Sequence, residues 1–121
     1  MSEVVVLEKV SKVYKSGDVE ITALENVSLQ IQKGEFIAIL GPSGSGKSTL
    51  MHVIGLLDTP TSGNIFLEGK DIGEQTPDDR AILRNKYIGF VFQSFNLLPK
   101  TTSLDNVLLP LIYAGVPENQ R

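Results

Sequence analysis

One stretch of the 121-residue sequence concentrates groups suited to holding phosphate. It runs Gly41-Pro42-Ser43-Gly44-Ser45-Gly46-Lys47-Ser48, followed by Thr49. It fits the pattern G-x-x-x-x-G-K-[ST] at every fixed position. Glycines let the backbone take positive φ and approach a ligand closely. Successive N–H groups then converge on anionic oxygens as a concave nest. A helix starting just beyond the last glycine adds the partial positive charge of its N-terminus. Lys47 supplies a full charge for the β- and γ-phosphates. The Ser48 hydroxyl is a ligand for Mg²⁺, a cation that keeps several waters and needs few protein groups. Thr49 is a further donor. A Ser-Gly-Ser-Gly run with a lysine would by itself read as a flexible, solvated loop. The full spacing argues against that, and so do the segments on either side.

Those segments are the ones the motif requires. Phe36 to Leu40 is short and wholly apolar, the composition of a strand covered on both faces. After the loop, Leu50, Val53, Ile54 and Leu57 recur at helical spacing, which predicts a helix over 47–57. Upstream, 4–14 mixes Val and Leu with Lys and Glu and predicts a strand. Lys15-Ser16-Gly17-Asp18 is a turn cluster. The segment 19–31 ends in clean alternation, with Val27, Leu29 and Ile31 on one face and Ser28 and Gln30 on the other. After a second turn at 32–35 the apolar run begins, so the chain is expected to open with antiparallel strands.

Downstream, Asn64 to Leu67 predicts a short strand. Thr76-Pro77-Asp78-Asp79 predicts a helix start, with a cap, a first-position proline and two acids complementing the dipole. Ile88 to Phe92 reads as a second buried strand. A loop with Pro99 follows. A last helix is then capped by Thr102 or Ser103, with Pro110 placed to bend it.

The global figures bound the partners. With 41% hydrophobic and 21% charged residues, the composition is that of an ordinary globular domain. There is no cysteine, which excludes disulfides and thiolate metal sites. The formal net charge is −3 and no Lys/Arg cluster appears, so no nucleic acid is expected as a partner. No apolar run is long enough to span a bilayer. The first residues lack a signal-peptide pattern.

Beyond the loop, several segments together resemble the ATP-binding-cassette ATPases. They are Val27-Ser28-Leu29 before Lys33-Gly34-Glu35, the loop itself through Leu50, and Thr61-Ser62-Gly63 before a strand. Ile88-Gly89-Phe90-Val91-Phe92-Gln93 and then Phe95-Asn96-Leu97-Leu98-Pro99 complete the set. The resemblance covers essentially the whole chain. Within the family it is most similar to the lipoprotein-release and macrolide-efflux subgroup, on residues 19–24, Gly55-Leu56-Leu57-Asp58 and residues 106–112.

The resemblance implies an α/β fold, a P-loop NTPase core of the RecA-like type with an N-terminal antiparallel β subdomain. Residues 1–92 would form the nucleotide-binding core, and 93–121 the glutamine loop and the start of a helical subdomain. It implies ATP and Mg²⁺ as ligands and an integral-membrane permease as partner. A second ATPase subunit would complete a homodimer at the inner face of the cell membrane. Tyr14 matches the aromatic that stacks on adenine, whereas by itself it reads as a strand tyrosine at a sheet edge. Gln93 matches the glutamine facing Mg²⁺ and the attacking water, whereas by itself it reads as a solvated loop residue. Phe95, Leu97 and Leu98 either face the permease or cover the core. His52 does not match the family's switch histidine and reads as a helix-surface residue. Asp71, Asp78 and Asp79 read as turn and cap residues.

Leu-Ser-Gly-Gly-Gln, an apolar strand ending in Asp-Glu, and the switch histidine do not occur in the sequence. These parts would supply the opposing donors, the metal carboxylate and the general base. The resemblance thus implies a chain truncated before the signature and Walker B motifs, and these residues alone are expected to bind nucleotide weakly at best and not to turn it over. Two other readings remain at this point: an ABC-type ATPase of DNA repair or cell division, and a fragment that only binds nucleotide.

Overall fold

Alternation along the first strands sets the architecture of the computed structural model, which describes residues 2–121. β1 (Glu3–Ser16) and β2 (Val19–Gln32) form a long antiparallel hairpin, and β3 (Ser62–Leu67) and β4 (Lys70–Asp71) extend it in the order β2-β1-β3-β4. Gly17 takes φ 60° at the first of two turn positions between Ser16 and Val19, the place where a two-residue hairpin favours glycine. Glu68 and Gly69 both take positive φ in the tight turn from β3 to β4.

The inward set on β1 is Val5, Leu7 and Val10, not Lys9. A bulge makes the difference. Lys9 adopts φ 49° and the register slips between Leu7 and Val10, so the apolar residue turns inward and the lysine outward. The side chains of Ser28 and Ser11 accept the N–H groups of Lys9 and Asn26 beside this irregularity. With Leu24, Ile65, Leu67 and Ile72, with Val53 from the helix after the glycine loop and with Leu56 just beyond its end, the inward residues form the core of the first unit. That unit ends at Thr76.

The helix after the glycine loop, α1 (Lys47–Ile54), is shorter than the spacing predicts. It closes in a Schellman turn: the N–H of Leu57 bonds the His52 carbonyl at 2.8 Å, and that of Leu56 bonds Val53 at 3.2 Å. Leu56 holds the left-handed position, φ 60°, that glycine usually takes, and is buried there. Apolar burial keeps a leucine where backbone preference alone would not.

The second unit, Pro77–Arg121, contains α2 (Pro77–Tyr87) and α3 (Ser103–Tyr113). Asp78 and Asp79 occupy the first turn of α2 and Arg84 and Lys86 its last, matching the dipole at both ends. Thr102 caps α3 by accepting the Asp105 N–H at 3.0 Å. Pro110 lies inside α3, and its carbonyl also accepts the Asn85 side-chain amide at 3.1 Å.

Two expectations fail. Phe36 to Leu40 and Ile88 to Phe92 are not strands. Phe36 is 99% exposed, Leu40 89% and Val91 102%. A strand exists only through its ladder partners, and the sheet contains β1 to β4 alone among the described residues. The parallel core that these runs suit is therefore not formed here. Phe90 and Phe92 nonetheless stack with centroids 5.5 Å apart, keeping the same-side relation of i and i+2 in an extended chain.

Candidate functional site

The glycine loop is fixed to β2 by a contact only glycine allows. Gly46 has φ 95°, and a Cβ there would lie 2.5 Å from the carbonyl oxygen of Ala23. Gly44 has φ 81°. Pro42 and Ser45 close a tight turn between them, N–H to carbonyl, at 3.1 Å. Gly46 is also the N-cap of α1 and contributes no side-chain acceptor. The helix's own ladder begins with the Leu50 N–H on the Gly46 carbonyl at 2.9 Å. The N–H groups of Lys47, Ser48 and Thr49 therefore have no acceptor within the helix. This is the donor set of an anion site.

Lys47 bends back over the loop. Its ammonium donates to the Gly41 carbonyl and, at 2.8 Å, to the Pro42 carbonyl. Gly41, Pro42, Ser43, Gly44 and Ser45 are exposed, and Gly46, Lys47 and Thr49 half-buried. The charge thus stands at the mouth of the loop, on neutral acceptors that an anion could replace. The residues fit a bound polyphosphate, with Ser48 in the first turn of α1 as the hydroxyl available to Mg²⁺.

Tyr14 lies near the end of the β1–β2 hairpin, paired with Ile21 and 41% exposed. Ala23, which carries Gly46, is on the same strand as Ile21, so β2 relates the tyrosine to the loop. The phenol donates to Asp58 Oδ2 at 2.9 Å. Lys12 donates to Asp58 Oδ1 at 3.0 Å and to the Thr59 carbonyl at 2.7 Å, and its ammonium lies 5.2 Å from the Tyr14 ring centroid. Burial works against the Asp58 carboxylate, but hydrogen bonds from Lys12, Tyr14 and the Thr59 N–H, with the Lys12 charge, outweigh it and hold its pKa below the ordinary value. Sequence reasoning took Asp58 only as part of a motif and missed its partners.

Thr61-Ser62-Gly63 acquires a physical reason. A Cβ on Gly63 would lie 2.3 Å from the Lys9 carbonyl oxygen and 2.6 Å from Val10 Cα, so β3 meets the β1 bulge through glycine. The Thr61 hydroxyl oxygen accepts the Val13 N–H at 2.9 Å.

Gln93 belongs to the second unit and is exposed in the irregular segment between α2 and α3. Phe95, Leu97 and Leu98 follow it, all exposed. His52 is exposed on α1. Asp71 accepts the Gly73 N–H at 2.9 Å as the cap of a 3-10 turn. No cluster of metal-ligating side chains occurs among the described residues. No helix among them is long and apolar enough to cross a membrane.

Comparisons with known proteins converge. A family model described as ABC transporter matches residues 24–121. An uncharacterized ABC transporter ATP-binding protein of Thermotoga maritima is 50% identical over all of this chain, which spans 52% of that protein. A macrolide export ATP-binding/permease protein MacB of Syntrophobacter fumaroxidans is 48% identical over 93% of this chain and 16% of its own length. A dimeric ATP-binding cassette, solved in a post-hydrolysis state with ADP and Pi, superposes with a TM-score of 0.86 at 49% identity, over 91% of this chain and 47% of that one. The chain thus spans about half or less of the relatives it matches. The fold neighbours are ABC cassettes, and the antiparallel sheet with its loop and helices corresponds to their N-terminal part. The chain belongs to the ABC transporter ATP-binding family.

Proposed function

We propose that this chain forms the nucleotide-binding part of an ABC transporter ATPase that couples ATP binding and hydrolysis to the work of a membrane permease. The loop carries the reading: Gly46 lies against Ala23 in a conformation reserved for glycine, at the start of a helix whose first N–H groups have no acceptor within it. In this account Gly41 to Thr49 hold the phosphates, Lys47 neutralises their charge, and Ser48 and Gln93 serve Mg²⁺. Tyr14 offers its ring to adenine. Bound Mg²⁺-ATP would supply the phosphoryl group and the metal charge; the chain's own residues bind and orient it.

The division into a core over 1–92 and a glutamine-loop segment over 93–121 belongs to the same proposal. So do a second ATPase subunit facing the loop, a place at the inner membrane surface, and contact of Phe95, Leu97 and Leu98 with the permease. Phe36–Leu40 and Ile88–Phe92 are proposed to become central strands when further sequence pairs with them, as the greater length of the relatives allows. Residues 1–121 by themselves are proposed to bind nucleotide weakly at best and without turnover, because no paired acids follow an apolar strand.

The test is a nucleotide titration with and without Mg²⁺, followed by an ATPase assay on these residues alone. Binding that strengthens with Mg²⁺ and no hydrolysis is the expected result. Steady hydrolysis by residues 1–121, abolished in Lys47→Ala, would overturn the second half of the proposal. Copurification of the full-length protein with an integral-membrane protein tests the partner.

A further inference from the structure

Asp58 stands just beyond the C-terminal end of the helix whose N-terminal end carries the glycine loop. The Schellman turn fixes its backbone, with the Asp58 N–H on the His52 carbonyl at 3.2 Å. Its carboxylate then reaches across to β1. One oxygen takes the Tyr14 phenol and the other takes Lys12 and the Thr59 N–H, at 2.9, 3.0 and 2.8 Å. Lys12 in turn lies over the Tyr14 ring. A second planar group can stack only on the opposite face. An α-helix of eight residues is about 12 Å long. It is a rigid spacer between the loop and the group that grips the tyrosine.

We propose that Asp58, with Lys12, is the positioning residue for the Tyr14 ring: it fixes the separation between the base-stacking surface and the phosphate loop through α1. The proposal rests on the reading of Tyr14 as the adenine-stacking residue. Tyr14 is close to the hairpin tip, where the Lys15–Glu20 ion pair at 3.4 Å is exposed and contributes little. Without the anchor the ring samples more orientations, and stacking must then cover the entropy of ordering it. Asp58 touches no part of the nucleotide. It acts through the tyrosine alone.

The experiment compares Mg²⁺-ATP with Mg²⁺-tripolyphosphate, which has the phosphates but no base, by calorimetric titration of the full-length protein. Asp58→Ala and Tyr14→Phe are each expected to weaken ATP about three- to tenfold, the net worth of one hydrogen bond, and to leave tripolyphosphate within about twofold. The double variant should bind ATP as either single variant does, because both remove the same link. Three results would overturn the proposal: unchanged ATP affinity in Tyr14→Phe, equal losses for the two ligands in Asp58→Ala, or fully additive effects in the double variant. Tyr14→Phe keeps the ring and decides the matter even where Asp58→Ala folds poorly. Tyr14→Ala separates the underlying reading. If it weakens ATP roughly tenfold or more while sparing tripolyphosphate, stacking stands whatever Asp58 does. If it affects both ligands equally, stacking fails and the anchor's role falls with it.

Discussion

The phenol of Tyr14 donates to the carboxylate of Asp58 at 2.9 Å across 44 positions of sequence. This bond joins the β1–β2 hairpin to the segment leaving α1. It is also where the structure departs most usefully from the sequence reading, which assigned Tyr14 a π-face and gave its hydroxyl no task.

The ionisation of Asp58 should be visible in stability. Its folded pKa lies below the ordinary carboxylate value near 3.8. The stabilising contribution is therefore complete above the unfolded-state pKa and is lost as pH falls through the folded one. Wild type should exceed Asp58→Asn by about 1 kcal/mol near neutrality, a modest figure for a partly exposed pair. The gap should close at the acid end of the carboxylate range. Denaturant unfolding of both proteins across pH checks this.

The glycines predict a graded series. Gly63→Ala drives a Cβ into the Lys9 carbonyl and Val10 Cα, backbone against backbone. A loss of about 3 kcal/mol or more is expected. Gly69→Ala also sits at positive φ but meets nothing within 4 Å. It should lose only about 1 kcal/mol. Denaturation midpoints of the two variants measure the difference.

Gly46→Ala combines strain with function. The new Cβ would meet the Ala23 carbonyl oxygen at 2.5 Å, and φ is 95°. The loop must then move away from β2 or twist. A stability loss of about 2 kcal/mol is expected, together with a marked loss of Mg²⁺-ATP affinity. Retained affinity alongside lowered stability would show that the loop's seat on β2 is not needed for binding.

Local patterns were legible where local physics decides. Alternation at Val27, Leu29 and Ile31, the Thr102 cap and the glycine loop all follow from near neighbours. Other features depend on distant partners. The bulge at Lys9 turns Val10 inward, and nothing in its neighbours announces a left-handed lysine. Leu56 ends α1 in a position where a glycine would have been the visible signal. The apolar runs at 36–40 and 88–92 have a strand's composition, yet a strand also needs a partner to pair with. Asp58 could have been suspected as a short acid just past the loop helix, but its role depends on which strand faces it. The glycine loop and β2 were legible; the bond from Tyr14 to Asp58, which ties the hairpin to the segment after α1, was not.

The central claim is that Gly41 to Thr49 grip the phosphates of a nucleotide through Lys47. Calorimetric titration of Mg²⁺-ATP into wild type and Lys47→Ala tests it directly. Loss of a charge-assisted contact to phosphate should weaken binding about 30-fold or more, with the unfolding midpoint nearly unchanged. Equal affinity in the two proteins would contradict the account, because the loop would then not be the phosphate site.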